Sequence, residues 1–145
     1  MLGVPGQASC FGHVCGSSST PVKTKGLGGS GTLAGVASLA STNFDTFGSY
    51  CAVLTSGGAD CRGDGYDGQL GNGLYDGSTI PVKVKGVGGS GSLTGVVAVR
   101  GSLGDGNFCA IVTSGGVDCW GYGQNGELGN RLASDSGVPV AAAFP

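Results

Sequence analysis

Charged residues are scarce in this chain. They make up 11% of its 145 residues, and the formal net charge is −2. Proteins that bind nucleic acid cluster lysine and arginine on one surface, so the composition argues against a nucleic-acid partner. No apolar run approaches the ~20 residues of a membrane-spanning helix, and the opening MLGVP lacks the basic and apolar segments of a signal peptide. We therefore expect neither a nucleic-acid partner nor a membrane span.

Metal ligands and catalytic groups are also few. The one histidine is His13, and no two cysteines have the C-x₂-C spacing of zinc sites. The segment DGYDG at 64–68 lacks the ligand spacing and the closing glutamate of a calcium loop, so turn chemistry accounts for it better. The carboxylates sit mainly in turns, and no acid–base pair recurs along the chain. These absences predict no metal, no cofactor and no catalytic residue, and therefore no enzyme.

Glycine, in contrast, is abundant, with 33 of the 145 residues. This is roughly three times the average glycine content of proteins, which is about 7%. Collagen's G-X-Y period is absent, and the low net charge argues against disorder. Residues 26–31 and 86–91 match G-x-G-x-x-G, but strand-like VASLAS and VVAVRG follow them, where a dinucleotide site would need a helix. These segments are therefore interpreted as loops between strands. The composition predicts many short strands joined by tight turns.

An internal repeat is the most informative feature of the chain. CAVLTSGGADCRGDGYDGQLGNG at 51–73 reappears as CAIVTSGGVDCWGYGQNGELGNR at 109–131, and PVKTKGLGGSGTLAGV at 21–36 as PVKVKGVGGSGSLTGV at 81–96. Each copy predicts four strands, which in the second copy fall at 80–85, 96–101, 107–113 and 116–121. The tetrapeptide TSGG predicts a hairpin turn with a glycine at positive φ. The fold class is therefore all-β.

The repeat divides the chain into four segments. We expect residues 1–20 to be the stub of a preceding unit, 21–80 the first full repeat, 81–137 the second, and 138–145 the first strand of a following unit. A four-stranded unit cannot bury both faces of its sheet without neighbours. We therefore expect a truncated piece of a longer array, with neighbouring repeats as its first partners.

The motif CAxxTSGGxDCWGxGxxGxLGN, followed by a Pro-Val strand, resembles bacterial members of the regulator of chromosome condensation repeat family. The resemblance runs from Pro21 onward, and it rests on the TSGG hairpin, on Cys119-Trp120-Gly121 and on the GxLGN turns. It implies a seven-bladed β-propeller of four-stranded antiparallel blades, of which this chain would form a partial β-propeller of about two to two and a half blades. Arg62 replaces the tryptophan in the first copy, and the stub lacks GxLGN.

The cysteines fall in pairs that flank the same turn. Cys51 with Cys61, and Cys109 with Cys119, are ten residues apart around the hairpin tip, so each pair lies on one face, directly opposite or one step diagonal. A cross-strand disulfide is the leading interpretation, and buried free thiols or links between blades are the alternatives. Cys10 and Cys15 form a further candidate pair. Six cysteines at low charge favour an oxidising compartment outside the cytoplasm, so we expect an extracellular or cell-surface protein.

Binding through loops is the leading functional hypothesis. Loops of a propeller gather on two rims, where side chains vary without disturbing the core, and tyrosine suits protein recognition. We therefore expect a non-catalytic, protein-binding repeat module of a secreted or cell-surface bacterial propeller, although solvated turns are the plainer interpretation of these loops. The alternatives are guanine-nucleotide exchange on a small GTPase, implied by the family's eukaryotic namesake, and an accessory domain of an extracellular hydrolase. The candidate binding residues are Tyr66, Asp67, Tyr75, Asp76, Tyr122, Gln124, Asn125 and Glu127.

Overall fold

The described part of the chain is all-β, as predicted. The computed structural model describes residues 23–44 and 47–143, which contain eight strands, two three-residue 3-10 turns and no α-helix. No helix in these ranges could therefore cross a membrane. The strands are β1 (Val36–Phe44), β2 (Phe47–Leu54), β3 (Ala59–Gly63), β4 (Ser78–Lys83), β5 (Val96–Gly101), β6 (Asn107–Val112), β7 (Val117–Gly121) and β8 (Ser136–Ala141).

The strands form two four-stranded antiparallel sheets, one per blade. The sheet orders are β1-β2-β3-β4 and β5-β6-β7-β8, so every strand pairs with its neighbours along the sequence. The two 3-10 turns, Leu27–Gly29 and Val87–Gly89, lie in the G-x-G-x-x-G segments. The second segment connects β4 to β5, the first precedes β1, and both are followed by a strand where a dinucleotide site would need a helix.

The strand at the start of the second repeat belongs to the first sheet, which corrects the sequence-based assignment. We predicted that residues 80–85 would begin the second blade, but β4 pairs with β3, with Cys61 opposite Val82. Similarly, the described part of the predicted 138–145 strand does not start a following blade, because β8 completes the second sheet with Cys119 opposite Val140. A repetitive sequence has no unique starting point, so only hydrogen bonding decides where a blade ends.

Proline explains why these strands are the last of each sheet. Pro81 lies within β4 and Pro139 within β8, and both side chains are buried. Proline has no backbone N–H to donate to a partner strand, so within sheets it is found on edge strands. Each sheet therefore ends where its Pro-Val strand adds to it, and the segment 84–95 carries the chain across to β5.

The hairpin turns have the predicted glycine conformation. Gly57 has a φ of 84° and Gly115 a φ of 85°, in the left-handed region that glycine adopts without steric cost. In the first turn the amide of Gly57 donates to the carbonyl of Leu54 over 2.8 Å. This arrangement is typical of a three-residue hairpin loop that closes with a glycine, and it sets the register of β2 against β3.

The hydrophobic core lies between the two sheets. Buried side chains of the first sheet, such as Val53 and Cys61, pack in one cluster with Val99, Phe108 and Trp120 of the second. The rings of Phe108 and Trp120 stack with centroids 6.0 Å apart. The indole Nε1 of Trp120 donates over 2.9 Å to the carbonyl of Gln69, which lies in the loop of the first blade. Trp120 therefore joins the two blades by both packing and hydrogen bonding.

Candidate binding surface

Three connections leave the sheets at the same end. Successive connections of an antiparallel sheet alternate between its two ends, so the segment 102–106 after β5 lies at the same end as the segments that follow β3 and β7. We call residues 64–77, 102–106 and 122–135 the loop rim. All eight binding candidates from the sequence fall on it: Tyr66, Asp67, Tyr75, Asp76, Tyr122, Gln124, Asn125 and Glu127.

The first loop is held by its own side chains. A carboxylate oxygen of Asp64 accepts from the amide of Tyr66 over 3.2 Å. The Gln69 side chain accepts from the amide of Asp67 over 2.9 Å and donates to its carboxylate over 3.0 Å. No group of three metal-ligating side chains occurs within 23–44 and 47–143. Turn chemistry, as expected, accounts for the aspartates of DGYDG.

The second loop repeats this arrangement with different residues. The carboxylate of Glu127, at the position of Gln69, accepts from the amide and from the side chain of Asn125, each over 2.9 Å. Asp135 adds a second anchor, because its carboxylate accepts from the Gly123 amide over 2.9 Å and from the Gln124 side chain over 3.0 Å. Both loops are therefore preorganised, which lowers the entropic cost of binding.

The tyrosines of the rim differ in how they are held. Tyr66 is 64% exposed and Tyr75 50% exposed. The hydroxyl of Tyr75 accepts from the amide of Gly137 over 3.1 Å, so this ring bridges the loop of the first blade to β8 of the second. Tyr122 is half-buried, and its hydroxyl accepts from the Asn125 side chain over 3.4 Å. Tyr66 presents the largest exposed aromatic surface among them.

The loop rim is acidic. It carries six of the nine carboxylates of the chain, namely Asp64, Asp67, Asp76, Asp105, Glu127 and Asp135, with Arg131 as its one basic residue. Burial, and then the charges of Asp135 and Asp64, raise the pKa of Asp67. Burial alone would raise the pKa of Glu127, but hydrogen bonds from its own amide and from Asn125 lower it. The rim therefore carries a net negative charge.

Three exposed leucines on this rim were missed from the sequence. Leu103 is 85% exposed, Leu132 60% and Leu74 57%. Tyrosines and polar residues were predicted as the binding candidates because leucine is normally assigned to a core. The available signal was that each of these leucines stands outside any alternating strand pattern, and that Leu74 and Leu103 lie in glycine-rich turns. Together with Tyr66 and Tyr75 they give the acidic rim an apolar component.

The predicted cross-strand disulfides are present in both blades. Cys51 bonds to Cys61 with an S–S distance of 2.07 Å, and Cys109 to Cys119 with 2.10 Å. Each pair is directly opposite in register, and the diagonal alternative is wrong. Cys10 and Cys15, with the rest of the stub at 1–20, lie outside the described residues. The first disulfide lies in the core between the two sheets, and the second lies outside that cluster of buried residues.

Comparison with known proteins identifies the fold. Human WBSCR16 matches with a TM-score of 0.64 and 23% identity, over 99% of this chain and 34% of that one. Yeast RCC1 (Prp20), in a structure with Kap60, matches with a TM-score of 0.67 and 15% identity, over 99% and 32%. A Saccharomyces cerevisiae Prp20p structure, whose description includes binding to Gsp1p and histones, matches with a TM-score of 0.67 and 15% identity, over 99% and 33%.

The chain thus spans about a third of the length of each of these structures. It has the RCC1-type β-propeller fold, and its described residues form a partial propeller of two four-stranded sheets. No protein-family model and no curated protein sequence matches it.

Proposed function

We propose that this chain is a non-catalytic repeat module that binds another protein through its loop rim. The observation that carries the proposal is the combination of exposed Tyr66, Leu74 and Leu103 with an acidic, preorganised set of loops. Aromatic and aliphatic anchors supply most of the binding energy at protein interfaces, and complementary charge supplies specificity and a faster association rate. The partner surface that fits is basic with an apolar centre.

The comparisons support a binding role without specifying the partner. Structures of similar fold include yeast RCC1 bound to Kap60 and a protein described by its binding to Gsp1p and histones. Those partners belong to those proteins. What this chain shares with them is a scaffold that places loops on rims, where recognition can change while the core stays constant.

Neighbouring repeats are a second class of partner in this proposal. Val53 of the first sheet is 2% exposed because the second sheet covers it, whereas Ile111, at the same position of the second sheet, is 47% exposed. Val97 on the second sheet is also 58% exposed. An apolar sheet face of this kind requires a cover, and a further blade of the same kind fits it.

A location outside the cytoplasm, at the cell surface or beyond, is part of the same proposal. The four described cysteines are all disulfide-bonded, and disulfides persist in oxidising compartments. The bacterial origin remains an expectation from the repeat motif. Quantifying thiols in denatured protein from its native source tests the compartment: few free thiols are expected, and six free thiols would contradict it.

The binding experiment compares two variants of the full chain. Tyr66→Ala combined with Leu74→Ala removes two exposed anchors of the loop rim and is expected to weaken partner binding about tenfold or more, since each anchor is worth about 1–2 kcal/mol. Leu27→Ala, which removes a 39% exposed leucine from a 3-10 turn, is the control and should bind as wild type. Affinity is measured on partners captured from the native source. Equal binding by both variants would refute the role of the rim.

Guanine-nucleotide exchange is the second candidate, because the fold matches that of yeast RCC1. It is tested by the release of labelled GDP from a panel of small GTPases. Acceleration by wild type that is absent in the Tyr66→Ala, Leu74→Ala variant would favour exchange over simple binding. No acceleration across the panel leaves binding as the function.

A further inference from the structure

A cleft opens at the end of the second sheet opposite the loop rim. It has a volume of about 330 Å³ and lies between the connection 86–95 and the hairpin tip that follows β6. Its wall is rich in hydroxyl groups, with Ser92, Thr113 and Ser114 among the lining residues, and Leu93 supplies an apolar side. Among the described residues that line it, Asp118 is the one that carries a charge. The cleft therefore combines a carboxylate, oxygen acceptors and a hydrocarbon wall.

Asp118 has no partner of its own. It is 8% exposed, and within the described ranges its carboxylate makes no hydrogen bond or ion pair. Burial raises the pKa of this carboxyl group. A buried carboxylate loses hydration, and a cation or hydrogen-bond donors must compensate for that loss. The second repeat therefore retains a buried aspartate for which the described residues supply neither a cation nor a hydrogen-bond donor.

The first repeat supplies a cation at the corresponding place. Asp60 corresponds to Asp118, and it lies opposite Lys83 in the register of β3 and β4. Burial raises the pKa of Asp60, and the charge of Lys83 acts against that rise. In the second repeat the residue opposite Asp118 is Ala141. The two repeats therefore differ by one lysine in register with a recurring buried carboxylate. Lys83 acts on Asp60 through its charge, because one oxygen of Asp60 has no hydrogen-bond partner among the described residues.

We propose that this cleft binds a primary ammonium group, presented by a lysine side chain of a partner protein, with Asp118 as its counter-ion. The incoming ammonium would replace the one that Lys83 provides in the first repeat. Its three N–H groups can donate to the carboxylate and to hydroxyls such as those of Thr113 and Ser114. Its methylene stem can pack against Leu93, as lysine stems do on apolar surfaces. The site is separate from the loop rim and does not depend on it.

Titration of the full chain with a lysine probe tests this proposal. The probe is lysine blocked at both backbone ends, the control is norleucine blocked in the same way, and the readout is the amide NMR spectrum. The lysine compound should shift the amides of Thr94, Gly95, Thr113 and Ser114 saturably, and the norleucine compound should not. Asp118→Asn should weaken the lysine probe about tenfold or more, the loss expected when a partly buried charge pair is removed. The Tyr66→Ala, Leu74→Ala variant should bind the probe as wild type.

A gain-of-charge variant tests the same idea without removing Asp118. Ala141→Lys rebuilds the arrangement of the first repeat, so its own ammonium should lower the pKa of Asp118 and abolish probe binding. Three results would overturn the proposal: equal shifts by lysine and norleucine probes, unchanged binding by Asp118→Asn, or unchanged binding by Ala141→Lys. Each variant is first shown to be folded by its amide spectrum.

Asp118→Asn should also change stability with a defined pH dependence. Burial raises the folded-state pKa of Asp118 above the ordinary aspartate value of 3.8, so the unfolded chain ionises this group at lower pH than the folded chain does. As pH rises through the range between the two pKa values, the carboxyl group ionises first in the unfolded chain. Its ionisation therefore stabilises the unfolded state relative to the folded state. The asparagine variant lacks that cost and should unfold at higher temperature than wild type near pH 7, with the difference vanishing below about pH 3.5. A difference of equal size at both pH values would contradict this account.

Discussion

Replacing Trp120 with alanine is expected to lower the free energy of unfolding by about 3–5 kcal/mol, which is typical of a buried large aromatic residue. Trp120 is fully buried between the two blades. It stacks on Phe108, and its Nε1 donates to the carbonyl of Gln69 in the preceding blade. The substitution therefore removes packing from both sheets at once. Because Trp120 is the only tryptophan of the chain, unfolding should be followed by circular dichroism and not by fluorescence.

Two further variants test whether the loss comes from packing or from hydrogen bonding, and whether the corresponding residue of the first repeat matters equally. Trp120→Phe keeps most of the ring but leaves the buried carbonyl of Gln69 without its donor, which costs about 1–3 kcal/mol. Arg62→Ala changes the corresponding residue of the first repeat, which is half-buried, and should cost about 1 kcal/mol or less. Equal losses for Trp120→Ala and Arg62→Ala would mean that the tryptophan is not the link between blades.

Local features of the fold could be predicted from the sequence. The hairpin at 55–58 and the pairing of Cys51 with Cys61 depend on residues within ten positions of each other, where the glycine conformation and strand geometry decide the structure. The division into sheets was wrong because pairing of β3 with β4 spans a 14-residue loop, 64–77, and a repeated pattern fits either boundary. The number of strands per sheet was still correct, since each repeat contributes four.

Contacts between blades could not be predicted from the sequence. The bond from Trp120 to Gln69 joins residues 51 positions apart, and no local pattern specifies that distance. The cleft beside Asp118 has the same origin, because it forms only where the connection 86–95 meets the next hairpin. The recurrence of Asp60 and Asp118 is visible in the sequence, but recurrence alone does not distinguish a structural carboxylate from one that lines a cleft. Among the described residues Asp118 makes no hydrogen bond, and one oxygen of Asp60 is buried without a partner.

Removing the first disulfide with Cys51→Ala and Cys61→Ala is the second substitution expected to have a large effect. Closing a loop of this length reduces the conformational entropy of the unfolded chain, which raises its free energy by about 3 kcal/mol. The double variant should lose about this much stability. The same value applies to Cys109 and Cys119, because both pairs are ten residues apart. Any difference between the two double variants must therefore come from the folded state.

The folded states of the two pairs differ in burial. Cys51 and Cys61 are fully buried against the second sheet. In the second pair Cys119 is buried as well, at 2% exposed, and only Cys109 is half-buried. Removing the first pair also loses packing in the core between the sheets, so it should cost more than removing the second, by about 1 kcal/mol. Urea unfolding of both double variants measures this difference, and equal midpoints would contradict it.

Reduction should follow the same order, because thiolate attack requires access to a sulfur atom. Brief treatment of the folded chain with dithiothreitol, followed by alkylation and mass spectrometry, should label Cys109 and Cys119 before Cys51 and Cys61. The reverse order would show that the first blade opens more readily than the second, although its cysteines are the better covered pair. A cover on the second sheet, such as the further blade proposed above, should protect Cys109 and abolish the difference in labelling rate.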